Sequence, residues 1–502
     1  MTKRIQTNRI LQRATFASWV LLTFWLTTNH ELWRDEVDSW LLARDASWAE
    51  IFAVLPDKGQ PPLWYILLKG ATSAGLNWQA MQLINLLAVW GGGLLLVFRS
   101  GFPILFVVPV LFSFLFSYEY PVIARNYGIG IMGLFLYADV LTRRQRHRTA
   151  KTVAAQVLMC WSTVHFLAMA LILFLFRAVH AIQKKDNGLV KWAKIELAFI
   201  LPFSVSVLVL WPTGKGQFSS SLMDQFQAQN LRDSLSNSML PFDLPGWWTF
   251  IIAIAGYLLL LAGTDRPLRA AGMFLAGASI LEAIFCFKYY SGAPRHSGLL
   301  FVWLCSVLWI NGIKFKSNRQ ITRADWRLLA APLTAWLFFA WNFPVTWSVW
   351  RLEYEMNFSD AIEAAKFLNS TEIATREVIC WPPRNCSAIL AYMPVSTRFW
   401  SPFLNRKITF DHWDRESHEV HGQQGLEMSE VLQRTMPFFP NWGRKNGPVF
   451  VTMRKVKSPE MFGLRLIIPA PRTAWRILDE SFWIYGPVGD EAPEGAETGL
   501  GN

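Results

Sequence analysis

Cysteines and charged side chains are both scarce in this 502-residue chain. It has five cysteines and only 17% charged residues, whereas soluble globular proteins average about 25% charged residues. Five cysteines exclude a disulfide-stapled miniprotein, and no Cys-x-x-Cys or His/Cys pattern with zinc spacing supports a metal–thiolate site. Cys160, Cys286 and Cys305 fall in apolar runs and are interpreted as packing residues. Cys380 and Cys386, six residues apart, are able to pair in an oxidising compartment.

Acidic residues are in the minority, with 36 Asp and Glu against 48 Lys and Arg and a net charge of +12. Apolar residues reach 52%, and 26 Trp and 37 Phe give an aromatic content that suits membrane interfaces. This composition excludes a disordered protein and a simple soluble enzyme. The excess positive charge fits either a nucleic-acid partner or a membrane topology, and its distribution decides between them.

Long apolar runs recur from the N-terminus to about Trp347 and then stop. Because a membrane-spanning helix needs about 20 apolar residues, we predict about eleven spans. The first run is not a cleavable signal peptide, since no small-x-small site follows it. A single helix over 151–182 would put Ser162, Thr163 and His165 in mid-membrane, so this stretch counts as two spans. The predicted spans are 12–29, 78–98, 102–118, 121–141, 151–163, 165–182, 193–211, 247–263, 268–288, 295–313 and 327–347.

The stretch 61–76 is apolar but short, carries Lys69 and begins with two prolines, so we interpret it as a juxtamembrane or re-entrant helix. The segments then predicted to be cytoplasmic carry a net charge of +19, which leaves −7 for the rest of the chain. Because positive loops stay on the cytoplasmic side, we predict a cytoplasmic N-terminus and an outer C-terminus. Scattered basic residues in short inner loops exclude nucleic-acid binding. The predicted cytoplasmic segments are 1–13, Arg99, 142–151, 177–194, 264–269 and 314–327.

The chain is predicted to divide at about residue 347. Residues 1–347 form a membrane module whose first outer loop, about 30–77, holds juxtamembrane helices. Residues 348–488, called the outer domain below, have mixed charge and short apolar runs, which are typical of a small α/β domain. The Gly/Glu-rich residues 489–502 are predicted to be a disordered tail. The predicted elements of the outer domain are a helix over 359–368 and strands over 377–380, 449–453 and 464–468.

Three carboxylates, those of Asp35, Glu36 and Asp38, stand at the outer end of the first span. On a helix, Asp35 and Asp38 share a face. Such carboxylates activate a hydroxyl as a general base or hold a divalent cation. The alternative is a purely structural role, in which acidic residues favour a helix N-terminus and pair with Arg34.

Downstream, Gln60 precedes Pro61-Pro62-Leu63-Trp64-Tyr65. The two prolines fix an extended entry to this segment. Trp64 and Tyr65 suit a membrane interface, so the alternative to a substrate contact is an interfacial anchor.

Arg125 is predicted to lie just inside the outer face, at the start of the fourth span. An arginine at that depth is costly, and its guanidinium suits an anionic headgroup. Pairing with Glu119 is the structural alternative.

The predicted outer turn around 288–296 holds Lys288, Tyr289, Arg295 and His296. Positive charge on the outer face opposes the topology rule. A phosphate ligand would explain it, as would pairing with Glu282 or with the Asp35–Glu36 pair. His165 at another outer turn is more often a satisfied polar residue than a catalyst. Taken together, these groups favour an enzyme that acts on a lipid-phosphate-linked substrate at the outer face.

At these residues the chain resembles the bacterial GT-C glycosyltransferases, polytopic enzymes that include relatives of protein O-mannosyltransferases and lipid A aminoarabinose transferases. The resemblance covers about residues 1–347, and the outer domain more weakly resembles the small α/β domains that some members append. Gln60 stands where members commonly have His or Lys. The motifs that carry the resemblance are Asp35-Glu36, Pro61-Pro62-Leu63, Arg125-Asn126-Tyr127 and Arg295-His296.

The resemblance implies inverting transfer of a sugar from a polyprenyl-phosphate donor to a glycan, lipid or protein acceptor, at the outer face of a bacterial cytoplasmic membrane whose lipids surround the enzyme. Asp35 would be the general base. Glu36 would assist it or, with Asp35, hold Mg²⁺ or Mn²⁺ as a cofactor. The residues expected to bind the donor phosphate are Arg125, Tyr127, Lys288, Arg295 and His296. The further residues expected to contact substrate are Arg34, Asp38, Gln60, Trp64, Tyr65, Glu119, His165 and Tyr289.

Three other functions compete with this interpretation. A flippase or transporter for a lipid-linked saccharide would more often show repeated halves and polar groups in mid-membrane, and the sequence has no repeat. An O-antigen ligase or polymerase usually relies on Arg and His in a large late outer loop, whereas 212–246 has only Lys215 and Arg232 as basic residues. A membrane scaffold whose outer domain binds a partner would be indifferent to substitution of Asp35.

Overall fold

The computed structural model describes residues 2–143, 148–183, 197–211, 229–241, 246–286, 294–313, 327–370, 373–410, 419, 426–468, 474–477 and 480–489. Within these ranges the first two-thirds of the chain is helical and a six-stranded sheet lies in the C-terminal part. The predicted tail, 489–502, falls outside the described residues except for Gly489.

The first outer loop folds into short helices between two long ones. Ser47 caps α3, because its hydroxyl accepts a hydrogen bond from the Glu50 backbone N–H. Gly59 ends this helix in the left-handed conformation, at a φ of 60°. The fourth helix, within 61–76, has 11 residues, fewer than a bilayer crossing needs. The helices are α1 (Thr2–Asn29), α2 (Arg34–Asp45), α3 (Trp48–Lys58), α4 (Leu63–Ser73) and α5 (Gln79–Arg99).

Apart from α11, which lies in the predicted outer loop 212–246, the remaining helices of the membrane module follow the predicted apolar runs, and the stretch 151–182 divides into two helices, as predicted. A π-helical turn, Leu115–Glu119, interrupts the run 102–118. The helices are α6 (Ile104–Leu111), α7 (Tyr127–Thr142), α8 (Arg148–Cys160), α9 (Val164–Gln183), α10 (Ile200–Val209), α11 (Gln229–Met239), α12 (Trp247–Ala262), α13 (Pro267–Ile284), α14 (Pro294–Asn311) and α15 (Arg327–Glu355).

Three described helices, α5, α9 and α13, are long and apolar enough to cross a membrane by length and composition. The apolar helices α7 and α12 and the segment Leu197–Val209 are shorter. This is fewer than the eleven spans predicted. One reason is that apolar runs do not guarantee unbroken helices: the run 102–118 divides at the π-helical turn, and helix α7 begins only at Tyr127.

Residues 121–126 are buried, apart from the partly exposed Arg125, but not helical, although the sequence predicted a span from residue 121. Pro121 has no backbone N–H to extend a helix. Buried backbone groups need other partners, and two side chains from the first 85 residues supply them. Glu36 accepts a hydrogen bond from the Ala124 N–H. The Asn85 amide donates to three carbonyl oxygens, those of Tyr120, Pro121 and Ile123. This irregular segment carries Arg125 to the start of α7.

The outer domain is built on one mixed sheet with the order β3-β2-β1-β4-β6-β5. Strand β1 pairs in parallel with β2 and β4, whereas β3, β5 and β6 join in antiparallel fashion. The predicted helix and three predicted strands are present, with bounds shifted by at most two residues. The elements are α16 (Ala361–Leu368), β1 (Val378–Trp381), α17 (Pro383–Leu390), β2 (Phe399–Ser401), β3 (Arg406–Ile408), α18 (Met428–Thr435), β4 (Val449–Thr452), β5 (Leu464–Ile468) and β6 (Trp483–Pro487).

The outer domain shares a hydrophobic core with the first outer loop. Val37 and Leu41 of α2 belong to the same buried cluster as Cys386 and Ile389 of α17. Burial of apolar surface contributes about 25 cal/mol per Å². Such a shared core is therefore the main force that holds the two parts together. The start of α2 therefore lies against the outer domain.

Candidate functional site

The first turn of α2 directs three consecutive charged residues to three different sets of partners. Trp33 precedes the helix in an extended conformation, and Asp35 and Glu36 occupy the first turn, where negative charge suits the helix dipole. Arg34 contacts the outer domain, Asp35 contacts arginines, and Glu36 points into a closed network.

Asp35 is surrounded by three guanidinium groups, and we call Asp35, Arg125, Arg295 and Arg384 the arginine cluster. Arg295 Nη2 donates to Asp35 Oδ2 at 3.2 Å, and Arg125 Nη1 lies 3.5 Å from the same oxygen. Arg125 Nη1 also donates to the backbone carbonyl oxygen of Asp35 at 2.8 Å. Arg384 Nη2, from the outer domain, lies 3.8 Å from Oδ1. The Asp35 side chain is 18% exposed, so the cluster is accessible from one side.

The arginines control the protonation of Asp35. Burial by itself raises the pKa of its carboxyl, but the positive charges, Arg125 first and then Arg295 and Arg384, outweigh burial and hold the pKa below its ordinary value. Asp35 is therefore ionised throughout the neutral range, with its charge neutralised by its neighbours.

Glu36 lies in a closed set of contacts that we call the His30 network: His30, Glu36, Glu353 and Tyr118. His30 Nε2 is 3.0 Å from Glu36 Oε2, and His30 Nδ1 is 2.7 Å from Glu353 Oε1. The Tyr118 hydroxyl donates to the other oxygen of Glu353. The other oxygen of Glu36 accepts from the Ala124 N–H. Glu36 is 0% exposed, and both of its oxygens are occupied.

His30 is the cation of this network. Burial by itself lowers the pKa of its imidazole, but Glu36 and Glu353 outweigh burial and raise the pKa to about 10. An imidazolium donates from both nitrogens, which matches one carboxylate on each side. The network joins the end of α1, the start of α2, the segment before α7 and the end of α15, and so fixes the backbone on which Asp35 and Arg125 stand.

The expected metal does not fit Asp35 and Glu36. A divalent cation needs several oxygen ligands that are free to turn toward it, whereas Asp35 faces guanidinium groups and Glu36 is enclosed with its oxygens already bonded. In the part of the chain that the structure describes, no group of three or more His, Cys, Asp or Glu side chains is arranged to hold a metal ion.

Arg34 connects the membrane module to the outer domain. Its backbone N–H donates to Glu480 Oε1 at 3.0 Å, and its Nη1 lies 3.5 Å from the same oxygen. Ser359 donates to the other oxygen of Glu480. Arg34 and Arg295 also lie over the Trp33 ring, with 5.5 and 5.6 Å to its centroid. The predicted substrate contact at Arg34 is thus engaged in holding the outer domain.

A second polar group lies one turn further along α2. Asp38 forms an ion pair with Lys58, and the Tyr65 hydroxyl donates to Gln60 Oε1 at 2.7 Å. Ser39 lies 3.5 Å from the same hydroxyl. Trp64, also predicted at the site, is buried. These contacts pack α2 against α3 and α4, which is what places the first turn of α2.

Aromatic rings and imidazoles adjoin Arg295. His296 lies 5.8 Å from the His165 ring and 6.2 Å from the Tyr127 ring. Both nitrogens of His165, Nδ1 of His296 and Nε of Arg295 are buried without a hydrogen-bond partner among the described residues. Buried polar atoms are nearly always paired, so these side chains are candidates for contact with a ligand or with neighbouring residues outside the described ranges. Glu119 is buried in the π-helical turn.

Lys288 and Tyr289, predicted to bind the donor, lie outside the described residues. The structure adds Arg384, Glu480, Lys58 and Glu353 to the residues around α2. All four are ordinary charged residues in sequence, and nothing in the local pattern distinguishes them. Arg384 follows Pro382-Pro383, a pair that resembles Pro61-Pro62 only in composition.

In comparisons with known proteins, no family model and no curated protein matches this chain. The resemblance to the GT-C enzymes therefore rests on the short motifs of its sequence.

Proposed function

We propose that this protein is a polytopic glycosyltransferase of the GT-C type. It moves a sugar from a polyprenyl-phosphate donor to a glycan, lipid or protein acceptor, with inversion. Asp35 is the general base, and Arg125 and Arg295 bind the donor phosphate. The observation that carries the proposal is the arginine cluster, in which several guanidinium groups converge on one accessible carboxylate.

The proposed topology has about eleven spans in a bacterial cytoplasmic membrane, with the N-terminus in the cytoplasm and the outer domain in the periplasm. Three helices with the length and composition of spans support it. The concentration of positive charge in the predicted inner loops supports the orientation. A Cys380–Cys386 disulfide suits an oxidising outer compartment.

The charge of the arginine cluster favours a phosphate ligand. Three guanidinium groups, those of Arg125, Arg295 and Arg384, converge on the one carboxylate of Asp35, and such a positively charged setting suits an anionic ligand. A sugar phosphodiester brings one negative charge, whereas the departing phosphate monoester carries nearly two at neutral pH. The electrostatic match improves as the leaving group forms, so the cluster stabilises the transition state more than the bound donor.

Asp35 has one oxygen suited to base catalysis. Arg125 and Arg295 both contact Oδ2, whereas Arg384 is 3.8 Å from Oδ1, beyond ordinary hydrogen-bond distance. Oδ1 accepts the proton of the acceptor hydroxyl. The acceptor oxygen bonds to the anomeric carbon from the face opposite the phosphate, and the C–O bond to phosphate breaks with its electron pair. When the phosphate engages the guanidinium groups, it offsets their field on Asp35 and makes that carboxylate a stronger base.

An apolar cleft lies along α14, the helix that carries Arg295 near its start. Its volume of about 540 Å³ includes space open to solvent, and it is lined by residues of α6, α11, α12, α14 and α15, with Phe106, Phe301 and Phe338 among its side chains. Phe301 lies six residues after Arg295 on α14, or about 9 Å along the helix axis. A lipid chain in this cleft would place its phosphate toward Arg295.

Deletion of the gene followed by mass spectrometry of membrane lipids tests the proposal. We expect a polyprenyl-phosphate-linked sugar to accumulate and wild-type protein to remove it. Asp35→Asn should fail to remove it, although the protein inserts at the normal level. Asp139→Asn is the matched control, because Asp139 is a buried aspartate paired with Arg99 and Arg143 away from the cluster. It should restore turnover per molecule of protein. Restoration by Asp35→Asn would refute the assignment of the base.

A further inference from the structure

Arg384 reaches the arginine cluster from the outer domain, although the sequence places it far from every other member. Its Nη2 lies 3.8 Å from Asp35 Oδ1, and its side chain is 35% exposed, against 14% for Arg125 and 15% for Arg295. It is thus the most accessible of the three guanidinium groups and stands on the opposite carboxylate oxygen from the other two.

The C-terminal end of α17, the helix that carries Arg384 in its first turn, is held on α2 by two hydrogen bonds. Arg44 Nη1, near the end of α2, donates to the Leu390 carbonyl oxygen at 3.2 Å. Just beyond α17, the Tyr392 hydroxyl accepts from the Leu32 N–H at 2.7 Å. The shared hydrophobic core fills the space between the two helices.

The Cys380–Cys386 disulfide encloses Arg384 in its loop. Cys380 belongs to β1 and Cys386 lies in the second turn of α17, so the bond ties the helix to the sheet. Pro383 begins the helix and fixes φ at that position. The backbone of Arg384 is therefore restrained by a covalent loop of seven residues, a larger restraint than packing gives to an ordinary surface arginine.

We propose that Arg384 is a ligand of the donor phosphate supplied by the outer domain, and that the Cys380–Cys386 disulfide holds it in place. This inference rests on the proposed function. The anion site is then complete only when the outer domain is docked and oxidised. The domain acts as the third wall of the site rather than as a separate module.

Binding of farnesyl phosphate to the full-length protein in detergent tests the ligand role, with farnesol as the uncharged probe. Isothermal titration calorimetry should show that Arg384→Ala binds farnesyl phosphate at least about tenfold more weakly than wild type does, because a charge-assisted contact is lost. Farnesol binding should be unchanged. Arg384→Lys should be intermediate, since lysine keeps the charge but not the planar fork. Arg398→Ala is the matched control, an exposed arginine of the same domain bonded to local carbonyl oxygens.

The outcomes separate the two proposals. If wild-type protein does not prefer farnesyl phosphate to farnesol, the anionic donor site itself is refuted. If wild type shows the preference and Arg384→Ala retains it, the role of Arg384 is refuted while the proposed function stands. An equal loss for farnesyl phosphate and farnesol would make Arg384 structural and would also refute the ligand role.

A double-mutant cycle tests the disulfide. Replacing Cys380 and Cys386 with alanine should weaken farnesyl phosphate binding in the wild-type background and cause no further loss in the Arg384→Ala background, because both changes remove the same contact. If the double-alanine protein is not monodisperse, reduction and alkylation of purified wild type and of Arg384→Ala replaces it. An equal additional loss in both backgrounds would refute the disulfide as the support of Arg384.

Discussion

Asp35 and Glu36 are neighbours in sequence with the same chemistry, yet they lie in opposite environments. Asp35 is accessible and faces more positive than negative charge. Glu36 is fully buried, and His30, Glu353 and Tyr118 complete its network. A site with unbalanced charge and access binds a ligand, whereas a closed and fully bonded set of charges holds the backbone in place. Under the proposed function, this difference gives the chemistry to Asp35 and positioning to Glu36.

The largest expected effect separates these two roles. Glu36→Ala leaves His30 charged and buried beside an unpaired Ala124 N–H, and loss of one partner of a buried ion pair costs about 3–5 kcal/mol. We expect the apparent melting temperature of the purified protein in detergent to fall by several degrees. Glu355→Ala, which removes an exposed ion pair with Arg351 near Glu353, should leave it almost unchanged. Unchanged stability of Glu36→Ala together with lost transfer would make Glu36 catalytic.

A substitution of Arg125 tests the other half of this comparison, the arginine cluster around Asp35. Arg125→Ala should weaken donor binding by about 1.5–3 kcal/mol, the range for hydrogen bonds to charged groups. In transfer assays the KM for the donor should rise more than the KM for the acceptor. Arg351→Ala serves as the control, since Arg351 is exposed and forms a local ion pair with Glu355. Equal losses for donor and acceptor would indicate that Arg125 is structural.

The smallest expected effect, counted per pH unit, is the change of stability with pH. His30 has a folded pKa of about 10 against an ordinary value of 6.5, so its stabilisation is complete below pH 6.5 and is lost as pH rises toward 10. The free energy of unfolding should fall by about 1.4 kcal/mol per pH unit between these values. Glu31, whose pKa burial raises to about 7, acts in the same direction at lower pH. His30→Gln should flatten the dependence of the melting temperature on pH between pH 7 and 10. An unchanged slope would contradict a charged His30.

The helical runs and the α/β character of the outer domain could be predicted because they depend on local patterns. Apolar runs predicted the positions of most helices, and short apolar stretches predicted β1, β4 and β5. The break before α7 could not be predicted in the same way, since its buried backbone groups are satisfied by Asn85 and Glu36. Those partners lie far away in sequence, and a local pattern carries no information about them.

The sequence by itself determined which residue types are available at the start of α2: an acidic pair after the first apolar run, an arginine at the start of the fourth predicted span and another in the predicted outer turn around 288–296. Only the tertiary structure decided which of these side chains contact one another. The first turn of α2 directs neighbouring side chains about 100° apart, so Asp35 meets Arg125, Arg295 and Arg384 while Glu36 meets His30. The contribution of Arg384 depends on the docking of α17 on α2, which is set by packing between distant segments.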